Sequence, residues 1–230
     1  MKSIYEFLLD EHLLDEHLLK NKTAASTQDL DYIDLGLPSG LLWASCNIGA
    51  KEPTDCGDYF MWGSTVPDTD KHCDWEHAPF NNGNNDFNKE YFKSIQNDVC
   101  PNGILAPEYD AATVILGDDW RLPTDDDFEE LVDNTKYEWV KNYNDSGIDG
   151  GLFKKTDDVG LFIPASGYRG DSRFDYRGTN KGRAYLWSSS LYVSRHHNAW
   201  YIYFDNHSPN IYNSRCRWYG MCLRAVKENK

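Results

Sequence analysis

Between Tyr32 and the C-terminus, clear helical periodicity shows in only one place, the stretch DDWRLPTDDDFEELVDNTKYEWV. There Thr124 is a good N-cap, and Asp125, Asp126 and Asp127 supply first-turn acids that suit the positive end of a helix. Phe128, Leu131 and Val132 follow as one apolar stripe. The three acids could be read as a calcium cluster, but successive helical side chains diverge and do not converge on one ion. The rest is Gly-rich, Trp-rich and broken by turns, which points to short strands and loops rather than a helical bundle.

IDLGLPSGLLWASCNIGA brackets apolar residues with Gly and Pro, as a hairpin does. GDYFMWGS reads as an aromatic strand ending in a turn, and GLFIPASGYRG as a buried strand ending at a Gly turn. Residues 64–118 form a long insertion, and within it the Asn and Asp of FNNGNNDFN could ligate calcium, though a surface loop of turn formers is the better reading of that stretch. Upstream, residues 1–22 carry strong helix formers without Gly or Pro and repeat the pentad LLDEH. Each pentad advances the Leu pair by about 140° around a helix, so the leucines fall on three stripes rather than one. Two readings stay open: a helix packed on its own domain, or one that self-associates or docks on another protein such as a virion component. Residues 23–30 read as a linker, and residues 31–227 as one ligand-binding domain.

Composition narrows the function. Aromatics make up 14% of the 230 residues, with 8 Trp and 15 Tyr, enough apolar surface to build a core. The formal charge of −14 argues against a nucleic-acid partner, which needs a basic footprint, and against docking on an anionic membrane by charge alone. No run of about 18 apolar residues is present for membrane insertion. Acids and histidines interrupt every apolar stretch near the N-terminus, so no classical signal peptide is expected. Cys46, Cys56, Cys73, Cys100, Cys216 and Cys222 include no C-x-x-C, and reduced thiols are favoured over a zinc site or a disulfide framework. No cofactor or metal is expected.

The C-terminal segment, about 186–226, is the informative one. In AWYIYF, Trp200, Ile202 and Phe204 fall on one face and Tyr201, Tyr203 and Asp205 on the other. The first set is expected in the core and the second on the surface. From Tyr192 to Tyr219 the chain is rich in Arg, His, Asn, Ser, Tyr and Asp, yet holds no Lys, Glu, Gln or Met. Solvated surface is normally rich in Lys and Glu. Tyr, Ser, Asn and Arg are what paratopes use: rigid amphipathic area, adaptable hydrogen bonds, and anchors. The bland alternative is a Tyr-rich hairpin that merely faces water. The ligand-binding candidates are Ser194, Arg195, His196, His197, Tyr201, Tyr203, Asp205, Asn206, His207, Asn210, Tyr212, Asn213, Ser214, Arg215, Arg217, Trp218 and Tyr219. Of these, Arg195, His196, Tyr201, Tyr203, Asp205, Tyr212, Asn213, Arg215 and Tyr219 are expected to be mostly exposed and to form one contiguous face. His196 and His197 are adjacent, which on an extended chain points them to opposite faces, against joint metal ligation.

YIDLGLPSGLLWASCNIGA, GDYFMWGS, LAPEYDAATVILGDDWRLPTDDDFEELV, FIPASGYRG, LWSSSLY and GMCLRAV occur in this order over residues 32–226. With these stretches the chain resembles a bacteroidal family of C-type-lectin-fold domains related to formylglycine-generating enzymes. WRLPT before an acidic helix, and WSSS before a terminal strand, are the specific parts. The resemblance implies an α+β fold of C-type-lectin type with short strands and few helices, preceded by the N-terminal helix. It extends to the variable proteins of diversity-generating retroelements, in which a reverse transcriptase mutates adenines near the 3′ end of one gene. Asn codons randomised at both adenines encode Asn, Tyr, Ser, His, Asp, Arg, Cys and Gly, but never Lys, Glu, Gln or Met, which matches the segment. Trp218 departs from that scheme. The implied function is binding of a protein or cell-surface ligand by a diversified surface on a phage tail or a bacterial cell. A structural subunit of a surface or virion assembly is the alternative. Catalysis is disfavoured, since no RGGSW-type segment and no common catalytic motif is present. Neither Glu-Pro-Asn nor Trp-Asn-Asp is present, so calcium-dependent sugar binding is not implied.

Overall fold

The computed structural model describes residues 30–69, 73–81, 89–170, 173–175 and 182–229. The helix expected over residues 1–22 and nearly all of the linker at 23–30 lie outside the described residues.

The described residues form a mixed α+β structure with three small antiparallel sheets, a two-stranded ribbon and three short helices. In the first sheet, β1 (Tyr32–Asp34) and β2 (Leu42–Ala44) pair as the hairpin that the Gly/Pro-bracketed pattern predicts. β12 (Val226–Lys227) joins its edge and carries β3 (Trp120–Arg121) on the other side, in the order β1-β2-β12-β3. Chain segments from both ends of the domain therefore share one sheet. A second sheet has the order β4 (Lys136–Val140), β5 (Gly150–Lys154), β6 (Gly160–Pro164). The third has the order β11 (Pro209–Cys216), β10 (Asn198–Phe204), β9 (Ala184–Leu191), and β7 (Tyr168–Gly170) pairs with β8 (Arg173–Asp175) as the ribbon.

β9 is buried along its whole length and separates two cores. Tyr185, Trp187 and Leu191 belong to one, with Phe60, Trp62, Phe92 and Tyr201. Ala184 and Leu186 belong to the other, with Trp43, Phe128, Phe153, Ile202 and Phe204. The pleat sends alternate side chains to opposite faces, so a strand covered on both sides must be apolar or fully hydrogen-bonded throughout. Its serines meet the second condition. Ser188 Oγ donates to Trp200 O (2.9 Å), Ser189 N donates to Pro123 O (2.8 Å), and Ser190 Oγ donates to Asp125 (2.6 Å). The WSSS and WRLPT stretches are thus two sides of one contact.

Helices α1 (Lys89–Val99), α2 (Ala111–Leu116) and α3 (Asp125–Asn134) differ in how legible they are. α3 starts where its cap predicts. Thr124 Oγ1 accepts from Asp127 N (3.1 Å), Asp127 Oδ2 accepts from Thr124 N (2.7 Å), and Arg121 clamps the same carboxylate at 2.6 Å. This reciprocal box satisfies two backbone donors that would otherwise be orphaned. Thr124→Ala is expected to cost about 1 kcal/mol, read as a lower urea midpoint at unchanged slope.

α1 and α2 correct the reading of a single periodic helix; both lie in the 64–118 insertion, whose FNNGNNDFN stretch falls mostly outside the described residues. α1 buries Phe92 and Val99, with Ile95 between them packed on the core, a stripe too sparse to stand out. α2 is only six residues long, too short to show a period, and is set by Asp110, which accepts from Ala112 N (2.8 Å) and Thr113 N (3.3 Å). GDYFMWGS is also corrected. It is mostly loop, with a single antiparallel bridge between Phe60 and Met221. Its aromatics are there to fill the core, where Phe60 and Trp62 are fully buried. The six cysteines are free thiols. Among the described residues no helix is long and apolar enough to cross a membrane.

Candidate functional site

The sheet β11-β10-β9 turns one face toward α3 and the second core, and the other toward β7 and residues 217–222. On the latter face lies a layer of tyrosines. Tyr185 and Tyr203 pair across β9 and β10, with rings stacked at 5.8 Å, and Tyr185 and Tyr201 stack at 5.9 Å. Tyr168, from β7, meets Tyr185 edge-on at 5.0 Å and Tyr219 at 5.4 Å. Arg215 lies over both Tyr168 and Tyr219, its guanidinium carbon 4.2 and 4.1 Å from their ring centres, and donates to the Tyr168 hydroxyl (2.7 Å). Gly170 permits this packing, because a Cβ there would sit 2.6 Å from the Tyr219 ring. Aromatic and cation–π contacts of this kind hold polar-tipped side chains in one geometry at low entropic cost.

At one end of the layer Arg183 lies over the Tyr203 ring at 5.5 Å and pairs with Asp205 at 3.1 Å. Partial burial pushes the Asp205 carboxyl up, but hydrogen bonds from His207 and the Arg183 charge outweigh it and hold it below its ordinary value. Asn210 donates to the Tyr203 hydroxyl (3.5 Å), and Asn213 donates to the Asn210 side-chain oxygen. Burial pushes the Tyr185 and Tyr201 phenols up.

The candidates therefore do not share one exposed face. Asn206 and His207 are exposed in the β10–β11 turn, while Ser194 and Arg195 are exposed in the β9–β10 turn. β10 spans seven residues, so the two turns sit about 20 Å apart at opposite ends of the sheet. Tyr203, Asp205, Asn210, Asn213, Ser214, Arg215 and Tyr219 are half-buried between them, and the side chain of Tyr212 lies outside the described residues. Asn198 donates to Ser214 Oγ (3.2 Å), which ties that hydroxyl to the strand.

Tyr201, expected on the surface, is buried at 8% exposure, and the binding candidate Arg217 is buried at 5%. Trp200, expected in the core, is half-buried and meets Tyr192 edge-on, whereas Ile202 and Phe204 are buried as expected. The alternation along β10 holds, with Tyr201 in the first core and Ile202 in the second. What fails is the step from polar face to exposed face. Register shifts on either side of Tyr201 tilt the strand, and β7 with the 217–222 segment covers the tyrosines. Tyr203→Ala is accordingly expected to cost about 1 kcal/mol, between a free surface change and a core deletion, and Tyr201→Ala more. Chemical denaturation of the two variants checks the order.

His196 and His197 lie in a turn rather than on an extended strand, so the opposite-faces argument does not apply to them. Both are half-buried, and the His197 ring stacks near Trp218 at 6.5 Å. Trp218, His197 and Arg217 line a shallow depression whose other wall is Trp75, Ala78, Pro79 and Asn81 from the long insertion. Sequence reasoning missed Arg183, Tyr185, Tyr168 and this insertion wall. The period-2 pattern of AYLW, with Tyr185 and Trp187 in phase, was a usable signal for Tyr185. Nothing local marks Trp75 or Pro79, which reach the site only through the tertiary fold.

No family model, no curated protein and no solved structure matches the chain.

Proposed function

We propose that this chain is a C-type-lectin-like binding module, not an enzyme, that displays a diversified surface to a protein or cell-surface ligand. The setting we favour is a phage tail or a bacterial cell surface. One observation carries the reading: the segment from Tyr192 to Tyr219, free of Lys, Glu, Gln and Met, supplies both exposed turns and most of the Tyr/Arg layer between them. A rigid two-core scaffold under a surface of Tyr, Arg, Asn, Ser and His is the arrangement that tolerates sequence change while presenting anchors. The buried members, Tyr201 and Arg217, act as supports for that surface rather than as its contact points in the free protein.

The flanking DNA tests this directly. A near-identical repeat of the segment encoding residues 186–226, beside a reverse transcriptase gene and differing from it at adenines, is expected. Its absence from the source genome would remove the diversified-surface reading. The scaffold supplies an independent check. Randomising Arg195, Asn206 and His207 among Asn, Tyr, Ser, His, Asp, Arg and Gly is expected to keep stability within about 0.5 kcal/mol, as for exposed positions generally. Thermal melts of pooled clones decide, and widespread unfolding would show that these turns are structural.

A further inference from the structure

Among the described residues three arginines are almost wholly buried, and their surroundings differ. Arg224 is fully buried and fills its fork with three protein acceptors: Asn47 Oδ1 (2.9 Å), Ala44 O (2.9 Å) and Phe162 O (3.2 Å). Arg169 pairs with the carboxylate of Asp68 at 2.9 Å. Arg217, at 5% exposure, is different. Its Nε donates to His196 O (3.0 Å) and its Nη1 to Pro79 O (3.4 Å), while no carboxylate approaches it among the described residues. Among the described residues Nη2 has no protein acceptor. Below the guanidinium lie aromatic rings, Phe92 at 4.0 Å, Trp62 at 5.8 Å and Phe80 at 5.9 Å. Burial pushes its pKa down to about 10, which still leaves it charged at neutral pH.

A desolvated cation with only neutral partners is an uncompensated charge, and an anion placed against it gains far more than it would at the surface. Two backbone carbonyls hold the fork in place, so little ordering is needed to use it. Arg217 also lines a depression that combines the C-terminal segment (His197, Trp218) with the insertion (Trp75, Pro79, Asn81). The depression is shallow and lined by a single arginine and ring faces, with the Asn81 amide engaged by Trp75 O. A sugar acid would need several hydroxyl partners as well. An acidic side chain needs only a charge-assisted bond and an apolar wall for its methylenes.

We propose that this depression takes an Asp or Glu side chain of a protein partner, its carboxylate bound by Arg217 beside the Trp218 and His197 rings. The assignment rests on the reading of this surface as a ligand-binding one and names the chemistry it selects. It also accounts for how an acidic protein can prefer an acidic contact: the attraction is local and desolvated, where screening by bulk solvent is weak.

The test uses the full chain and a small probe, so that it does not depend on knowing the partner or on the flanking DNA. N-acetyl-glutamate N-methylamide is titrated while the indole NH signals of Trp75 and Trp218 are followed by NMR, with the glutamine counterpart as control. Saturable shifts with millimolar affinity for the glutamate probe, and binding at least about tenfold weaker for the glutamine probe, are expected from loss of the charge-assisted bond. Arg217→Lys, which keeps the charge and loses the fork, is expected to weaken the glutamate probe. Should that variant fail to fold, Trp218→Ala, which removes a half-buried wall, is expected to weaken it instead. Equal binding of the two probes, or no saturable shift with either, overturns the proposal. So does saturable binding of glucuronate without binding of the glutamate probe, which would make the occupant an acidic saccharide. A genome without the repeat, together with selective glutamate binding, would defeat the diversified-surface reading and leave this site standing.

Discussion

Arg224→Ala is expected to destabilise the protein by roughly 3–5 kcal/mol, because it leaves buried acceptors unpaired and opens a cavity. The side chain has no exposure and donates to acceptors on three separate stretches of chain. Ala44 closes β2 in the first sheet, Phe162 lies in the middle of β6 in the second, and Asn47 sits in the loop after β2. Asn47 in turn donates to Cys56 O (2.8 Å), so losing Arg224 loosens that loop as well. Burial pushes the guanidinium pKa down to about 10, the mark of a charge held out of water by neutral oxygens alone. Arg224→Met separates the two effects. It keeps most of the volume and leaves the carbonyls unsatisfied, so it is expected to recover only the cavity part of the loss. Urea titration of the three proteins gives the order wild type, Met, Ala. An alanine variant within about 1 kcal/mol of wild type would mean that water or a shifted backbone satisfies these acceptors, and that Arg224 does not clasp the sheets together.

Trp187→Ala is expected to cost roughly 3–5 kcal/mol, in the range of large-to-small aromatic changes in a packed interior. Trp187 is fully buried on β9, and its indole NH is shared between Phe60 O (3.1 Å) and Tyr219 O (3.2 Å). Tyr201 meets it edge-on at 6.1 Å. The residue is therefore both core and foundation for the Tyr/Arg layer. Trp187→Phe is expected to cost less, since it restores most of the packing, yet to remove the indole donor from both carbonyls, Phe60 O keeping its bond from Met221 N (3.0 Å). Because Tyr219 rests on one of those carbonyls, the phenylalanine variant is also expected to change the near-UV circular dichroism of the tyrosines. A Phe variant with wild-type stability and spectrum would show that the indole NH contributes nothing to the layer. Trp187 also bears on the design of the surface. Tyr203, one strand away in the same layer, is expected to cost only about 1 kcal/mol, so sensitivity falls steeply from β9 outward.

Local chemistry made part of this fold legible. Thr124 followed by Asp127 is a capping box that is complete within four residues, so α3 needs no tertiary partner to announce its start. The β1–β2 hairpin is likewise written in the Gly and Pro that bracket it. The split of Tyr201 and Tyr203 from Ile202 and Phe204 follows from the strand period alone. The unusual composition of the C-terminal segment is visible without any structure, and the proposed binding role rests on it.

Solvent exposure is another matter, because it is a property of what packs on top. A strand fixes which side chains share a face, but a second layer decides whether that face meets water. Here the covering elements come from far away in the chain. Tyr168 on β7 lies over Tyr185, and Arg215 reaches across to the Tyr168 hydroxyl, 47 residues earlier. Pro79, 138 residues before Arg217, supplies one of the two carbonyls that pin its guanidinium. Residue types and periodicity determined the two faces of β10. Only the tertiary packing decided that Tyr201 became a buried support and Arg217 a desolvated cation at the floor of a depression, since burial depends on contacts between segments whose separation in sequence carries no local signal.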